Sequence, residues 1–475
     1  MSMLAMLFAS AMAKPPAAPV HETPPHVVFW RDKVDWNIAK NEAVGRLAEY
    51  ISVDTRNPPG NEEAGADFLV GVLKHEGIQA RKVELSEGRA SVIARLESQN
   101  VDTPLCLVHH IDTVGVNEEA WSNTFAHGPF SGAQSEGYVW GRGALDAKGL
   151  GVLELMTMVW LKRLEVPLLR DVVLLAVADE EVDNLGAKQL AEMWGEIGCS
   201  HMINEGGLGV RDALFEGQAV HAISTAEKGS LWVDVHADGE GGHGSTIQPG
   251  EAPERLREAM NALAKYRPKY KLDPDVRQFL RAIGEHKRGF AGKVLRNRFL
   301  LRRFGWGRLK KDPTIAATMM DTVHLTGVRG GGEPNVVPER VTATYDCRLL
   351  PGTSPEEHLA RLEKLVRKVE GITLEVRHQG ASNGSPASDP LFTTIAHYAT
   401  EGRESAVAGP FLSPGFTDSL ILRPAGVKAY GYVPFEVEGD VADTMHGPDE
   451  RVPVDQIQEG LRRLFSMVVD FAGNP

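Results

Sequence analysis

Two stretches, PLCLVHHIDTV (residues 104–114) and DVVLLAVADEE (171–181), decide the fold. Each opens as a short run rich in leucine and valine and ends abruptly in histidines or carboxylates. An unbroken apolar run of this length fits a strand covered on both faces, as strands of parallel sheets are. Helical apolar spacing follows each, from about Ala147 to Leu164 and from about Gly186 to Met193. Strand and helix therefore alternate, and the chain reads as an α/β protein with a mostly parallel sheet. Ligands collect beyond the carboxyl ends of such strands, where these polar clusters sit.

Working outward, helical patterns at 37–51 and 64–75 are separated by VDTRNPPGNEE (53–63), whose prolines and glycine stop a helix. The character changes near residue 223, where GSLWVDVHADG (229–239) reads as an alternating, half-exposed strand. A helix at 252–265, strands near 314–326 and 338–349, a helix at 354–370 and a strand at 372–378 complete a small α+β layer. The loop ASNGSPASDP (381–390) then returns the chain to the first domain, which closes on an amphipathic helix at 454–471. The expected organisation is an N-terminal segment (1–25), a large domain in two pieces (26–222 and 384–475), and a small domain inserted between them (223–383). Residues 266–313 of the insert are atypically basic, with Lys287, Arg288, Lys293, Arg296, Arg298, Arg302, Arg303, Arg308, Lys310 and Lys311 interleaved with Phe299, Phe304 and Trp306. They read either as a solvated helix packed on the small domain or as an element that touches anionic membrane.

Across 475 residues, 42% are apolar and 24% charged, the composition of a globular protein of two or three domains. A net charge of −13 argues against a nucleic-acid partner, which needs a basic footprint. Cys106, Cys199 and Cys347 are too few and too scattered for a disulfide framework, and Cys106 and Cys347 read as buried small hydrophobes. Residues 3–13, MLAMLFASAMA, resemble the apolar core of a signal peptide without its basic start. The protein is exported if they act as one and cytoplasmic otherwise.

The chemistry lies at the strand ends. His110 and Asp112 stand two apart, which on a strand places them on one side, so that the carboxylate can brace the imidazole. WGRGALDAKG (140–149) sets Asp146 in a glycine-flanked turn, ADEEVDNLG (178–186) sets Glu180 and Glu181 after a buried strand, NEGG (204–207) supplies Glu205, and TMHGPDE (444–450) supplies His446. A pair of divalent ions about 3.5–4 Å apart needs one bridging carboxylate, with histidine and carboxylate completing each side. His110 and His446, a central Asp146, Glu205 and one glutamate of the Glu180–Glu181 pair meet that need, and the other glutamate can then reach the metal-bound water. A dinucleotide fingerprint is excluded because Asp146 stands where its third glycine belongs.

NPPGNE, HHIDTV, WGRGALDAKG, ADEEVDNLG, NEGG, NVVPE, DCRLLPG and TMHGPDE, in this order across nearly the whole chain, resemble the di-zinc exopeptidase and aminoacylase family, in particular its carboxypeptidase S branch. The resemblance implies a zinc-hydrolase catalytic domain with an inserted α+β lid and dimerisation domain. It implies two zinc ions, for which cobalt or manganese also suit these ligands, one held by His110 and Glu205, the other by Glu181 and His446, with Asp146 between. Glu180 would be the base, Asp112 would orient His110, and His243 in EGGHGST would steady the tetrahedral intermediate, often across a homodimer interface. Asn335 and Arg348 would grip a substrate carboxylate beside Gly415 and Thr417 of SPGFTDS. The implied substrates are small peptides or N-acyl amino acids. Two other readings stay open: a deacylase of a biosynthetic N-acyl intermediate, and a catalytically inactive binding protein on the same fold.

Overall fold

In strand Asp102–His110, Leu105 and Leu107 are buried on one face and Cys106 and Val108 on the other. Arg170–Val177 repeats this alternation, with Val172, Leu174 and Ala176 opposite Val173, Leu175 and Val177. Two covered faces explain why these runs lack polar interruptions. Helices Trp36–Ser52, Glu62–His75, Lys148–Arg163 and Val454–Ala472 cover the first face, and Leu185–Glu192 with Asp418–Leu422 the second. The computed structural model describes residues 22–100, 102–124, 127–247 and 249–474; the signal-like stretch at 3–13 lies outside them. Among the described residues no helix is long and apolar enough to cross a membrane.

The large sheet has ten strands. At its centre Arg170–Val177, Asp102–His110, His201–Asn204 and Lys428–Gly431 run parallel. The hairpin Gln79–Ser86/Arg89–Leu96 adds antiparallel to one side, and Ala219–Glu227 begins the other. The chain leaves this sheet at Lys228 and enters a second, antiparallel one, ordered Thr322–Arg329, Arg340–Leu349, Gly229–Asp238, Ile372–Gly380. Leu231, Val233, Val235 and Ala237 turn inward beneath helices Ala252–Leu263 and Pro355–Val366. The molecule is thus a large, mostly parallel α/β unit carrying a small α+β lid.

Three expectations are corrected. The strand near 314–326 begins only at Thr322; Pro313–Ala317 is helical, because Asp312 caps it by accepting the Ile315 N–H at 2.9 Å and proline suits a first helical position. The basic segment packs mainly on the large sheet and touches the lid only at its margin, at Leu350 and Pro351. Val276, Leu280 and Ile283 of helix Pro274–His286 join Val294, Leu295, Leu301 and Leu309 against Val220, Val407 and Leu412 of the large sheet, and Phe279 lies edge-on to Phe411. Its charged side chains face outward, so one apolar stripe suffices to hold it. Finally, Cys106 is disulfide-bonded to Cys199 rather than free. The pairing joins residues 93 apart: the strand of Cys106 pairs with His201–Asn204, which begins just after Cys199. Cys347 is the buried, unpaired thiol expected.

At one edge of the large sheet, buried Glu436 accepts from Arg211 Nε and His221 Nε2, each at 2.9 Å, and pairs with Arg403. Burial alone would raise its pKa, but His221, Arg211 and Arg403 outweigh that and hold the carboxyl near 2, against an ordinary 4.5. A carboxylate depressed in the folded state stabilises fully above the unfolded pKa and loses that contribution as pH falls from about 4.5 to about 2. Glu436→Gln should therefore cost on the order of 3 kcal/mol near neutral pH. Thermal melts should show the gap to wild type narrowing between pH 5 and pH 2.5; a gap that stays constant would refute this account.

Candidate functional site

Three central strands deliver the site. Asp102–His110 ends on His110, Arg170–Val177 is followed by Glu180 and Glu181, and His201–Asn204 by Glu205. The approach is close: a Cβ on Gly431 would lie 2.1 Å from the Glu205 carbonyl oxygen, so only glycine lets that turn sit against strand Lys428–Gly431. Asp146 comes from the glycine-rich turn before helix Lys148–Arg163. Gly143 in that turn has φ +91, and the Asp146–Ala147 peptide is cis. His446 approaches from the C-terminal segment with φ 61, a backbone region that non-glycine residues seldom occupy and that clusters at functional sites.

These side chains converge. His110 Nε2 lies 2.9 Å from Asp146 Oδ1 and 3.6 Å from Glu205 Oε1. His446 Nε2 lies 2.9 Å from Asp146 Oδ2 and 3.3 Å from Glu181 Oε1. The two carboxylate oxygens of Asp146 therefore each face one imidazole. Glu180 stands with His110 and Glu205, their ligand atoms within 4.8 Å of one another.

The electrostatics suit a bound cation. Burial and the neighbouring negative Glu205 push Glu180 well above the usual carboxylate range; burial and Asp146 do the same to Glu205. Burial raises Asp418 to about 7. Burial would depress His110, but Glu205, Asp112 and Asp146 outweigh it and hold the ring protonated well above its ordinary value. His446 is lifted to about 10 by Asp146 and Glu181. Protons are thus standing in for positive charge among buried carboxylates, a cost that bound divalent ions would remove. Glu181 Oε1 is buried without a hydrogen-bond partner, a donor that suits a metal. The oxygen and imidazole donor set fits zinc, cobalt or manganese.

A second acidic group, Glu62, Asp112 and Asp179, does not share this character. Arg89 pairs with Glu62 and, at 2.7 Å, with Asp179, while Asn57 Nδ2 donates to Asp112 at 2.9 Å and to Asp179 at 2.8 Å. It is an internally satisfied network.

That network gives Asp112 contacts beyond His110. His110 Nδ1 meets the Asp112 backbone carbonyl at 2.9 Å, with the carboxylate at 3.6 Å, so the chain has already turned out of the strand. The Asp112 carboxylate also accepts the backbone N–H groups of Glu180 and Glu181, each at 3.1 Å. Two supports escaped the sequence reading. Glu450 Oε1 accepts the N–H groups of Gly143, Leu145 and Asp146, holding the Asp146 turn, and its Oε2 pairs with Arg142 at 2.6 Å. Asn57 ties Asp112 to Asp179. Both stand in motifs already quoted, TMHGPDE and NPPGNE. Asn204, the neighbour of Glu205, donates to the hydroxyls of Thr417 and Ser419 and stays out of the cluster.

The remaining residues are dispersed. Gly415 and Thr417 line one cavity with Asp146 and Glu205, and Thr417 donates its N–H and hydroxyl to Glu227. Arg348 stacks over Phe416 at 4.6 Å, with two of its nitrogens on Asp346. His243 pairs with Val336 in an exposed ladder of the lid, and Asn335 lies beside it, its carbonyl accepting the Gly244 N–H. Neither lines that cavity.

The model of peptidase family M20/M25/M40 matches residues 106–470. Human aminoacylase-1 is 24% identical over 421 residues, covering 87% of this chain and 91% of its own. The Xenopus tropicalis N-fatty-acyl-amino acid synthase/hydrolase PM20D1 is 27% identical over 366 residues, 75% of this chain and 70% of its own. Among solved structures, an M20 family metallo-carboxypeptidase of Sulfolobus solfataricus, Sso-CP2, superposes with TM-score 0.69 at 18% identity, over 90% of this chain and 98% of that one.

Proposed function

Because the chain belongs to peptidase family M20/M25/M40 and is a metal-dependent peptidase or amidohydrolase, we propose that it hydrolyses an amide bond beside a free carboxylate, with two divalent ions held by His110, Asp146, Glu181, Glu205 and His446. The observation that carries this reading is Asp146, whose two oxygens each stand 2.9 Å from a different imidazole. Ions bound there would polarise the scissile carbonyl and acidify the attacking water. Glu180 takes the proton from that water and returns it to the leaving amine. Its raised pKa supports the exchange, since a carboxyl that readily holds a proton can also deliver it. His243 is assigned to the developing oxyanion from the lid of a second copy, which suits its exposed position outside the cavity of its own chain.

Metal analysis coupled to a screen of dipeptides and N-acyl amino acids tests the reading. Chelation should abolish hydrolysis and zinc restore it; full activity in a rigorously metal-free sample would sink it.

Arg348 and Asn335 are assigned to the substrate carboxylate. Asp346 holds the guanidinium against Phe416, in the same loop as Gly415 and Thr417. Converting that carboxylate to an amide should lower kcat/KM by about 10- to 100-fold, the strength of a charge-assisted hydrogen bond. Arg348→Met should erase the difference between acid and amide. Equal wild-type rates on the two would show the pocket misassigned.

A further inference from the structure

Residues 287–311 hold ten lysines and arginines and no aspartate or glutamate, in a chain whose net charge is −13. Just outside, Arg281 is spent on Glu285 at 2.9 Å, whereas among the described residues none of the ten has a carboxylate partner. Lys287 and Lys310 lie instead over the rings of Phe215 and Tyr270. Like charge gathered this densely repels itself, and a negative surface relieves it. The same stretch leaves three phenylalanines in water: Phe299 is 75% exposed, Phe304 54% and Phe290 49%. Phe290 and Phe304 come from different elements, helix Gly289–Arg296 and the wide helical turn Leu301–Gly305, yet their rings meet edge-on at 5.7 Å. Loose packing does not account for this exposure. Helices Pro274–His286 and Gly289–Arg296 cross so closely that a Cβ on Gly284 would lie 2.8 Å from that of Leu295, and one on Gly292 2.7 Å from the Gly284 carbonyl oxygen. With Val294, Leu295, Leu301 and Leu309 turned toward the large sheet, the outward face is left to arginines, lysines and these rings.

We propose that this face docks the protein on the surface of an anionic bilayer, its guanidinium and ammonium groups on lipid phosphates and its three rings in the boundary between headgroups and acyl chains. Elements that lie in a membrane surface combine a strongly basic rim with large apolar side chains, and both halves are needed here. Phosphates alone would satisfy the charges and leave Phe299 in water; hydrocarbon alone would desolvate the arginines without a partner. A nucleic-acid duplex or an acidic protein offers the first without the second, so the rings favour the bilayer. A second copy in a two-fold pairing would set like charge against like. The contact is peripheral, since among the described residues no helix is long and apolar enough to cross a membrane. Anionic lipid repels the acidic remainder of the chain, which turns this segment toward the membrane. Each basic side chain at such a surface strengthens partitioning by about fivefold, and each ring that enters hydrocarbon by about tenfold. The inference is independent of which amide the site cuts.

The test is flotation of the full-length, metal-loaded protein with vesicles of phosphatidylglycerol and phosphatidylcholine in equal parts, beside vesicles of phosphatidylcholine alone. Protein should float with the first and not the second, and added salt should release it. A charge-reversal variant, Arg298→Glu with Arg302→Glu and Arg303→Glu, should bind at least about 100-fold more weakly. Phe299→Ser with Phe304→Ser keeps every charge and should bind at least about tenfold more weakly. All five side chains are exposed, so both variants should melt near the wild-type temperature, which separates lost docking from lost fold. Equal binding to both kinds of vesicle, binding to neither, or binding that survives the charge reversal overturns the inference. Full binding by the serine variant also overturns it, because phosphates would then be held without insertion of the rings. So does tighter binding of single-stranded DNA than of vesicles, or a dimer that the charge reversal dissociates while vesicles stay unbound.

Discussion

Glu180→Gln is expected to lower kcat by about 10²- to 10⁴-fold, the usual cost of losing a positioned general base, while bound metal stays at the wild-type level. Glu181→Gln is expected to lose metal. The two glutamates are adjacent, and their backbone N–H groups donate to the two oxygens of one carboxylate, Asp112. Their side chains nonetheless part: Glu181 reaches toward His446 at 3.3 Å, whereas Glu180 stands with His110 and Glu205. Glutamine at 180 preserves shape and removes the basic oxygen. Glutamine at 181 removes charge from a donor that has no hydrogen-bond partner of its own, and a neutral amide is a poorer ligand than a carboxylate. Elemental analysis beside single-turnover rates separates these outcomes. Metal lost from the Glu180 variant and kept in the Glu181 variant would reverse the assignment.

Much of this arrangement is legible in the sequence because parallel strands advertise themselves twice, by unbroken apolar runs and by the polar residues that follow. His110, Glu180 and Glu205 each fall where a central strand ends, and the sheet gathers them without further instruction. Helices Lys148–Arg163 and Val454–Ala472 lie within a residue or so of their expected bounds, since each keeps its apolar period along its whole length.

What stays hidden depends on which non-sequential segments become neighbours. Cys106 meets Cys199 only because its strand pairs with the one that starts at His201, just after Cys199. Glu450 reaches Leu145 across 305 residues, and nothing near Glu450 signals a partner in the WGRGALDAKG turn. Asp112 meets His110 chiefly through its backbone carbonyl for a local reason: the period-two argument holds within a strand, and this strand stops at His110. The basic segment misleads because composition reports only its solvent face, while the stripe Val276, Leu280 and Ile283 decides what it packs on. That stripe seats the insert beside the cavity that Asp146 and Glu205 also line.

Asp146→Asn should remove both ions and reduce activity by at least about 10³-fold, more than loss of any single outer ligand, because in the proposed arrangement two sites would share this one carboxylate. Oδ1 faces His110 and Oδ2 faces His446, each at 2.9 Å. An asparagine keeps one acceptor oxygen and turns an NH₂ donor toward the other side, where it opposes a cation. The turn itself should survive, because Glu450 holds it through the backbone N–H groups of Gly143, Leu145 and Asp146, which the substitution leaves in place. Thermal stability in chelator should therefore remain close to that of metal-free wild type, which separates ligand loss from misfolding. His446→Ala, by contrast, removes a ligand that faces only Glu181 and one oxygen of Asp146, so it should retain about one ion per chain, held by His110, Glu205 and Asp146. If Asp146→Asn also retains one ion while His446→Ala retains none, the shared ligand is not Asp146 and the two-ion arrangement must be redrawn around another carboxylate.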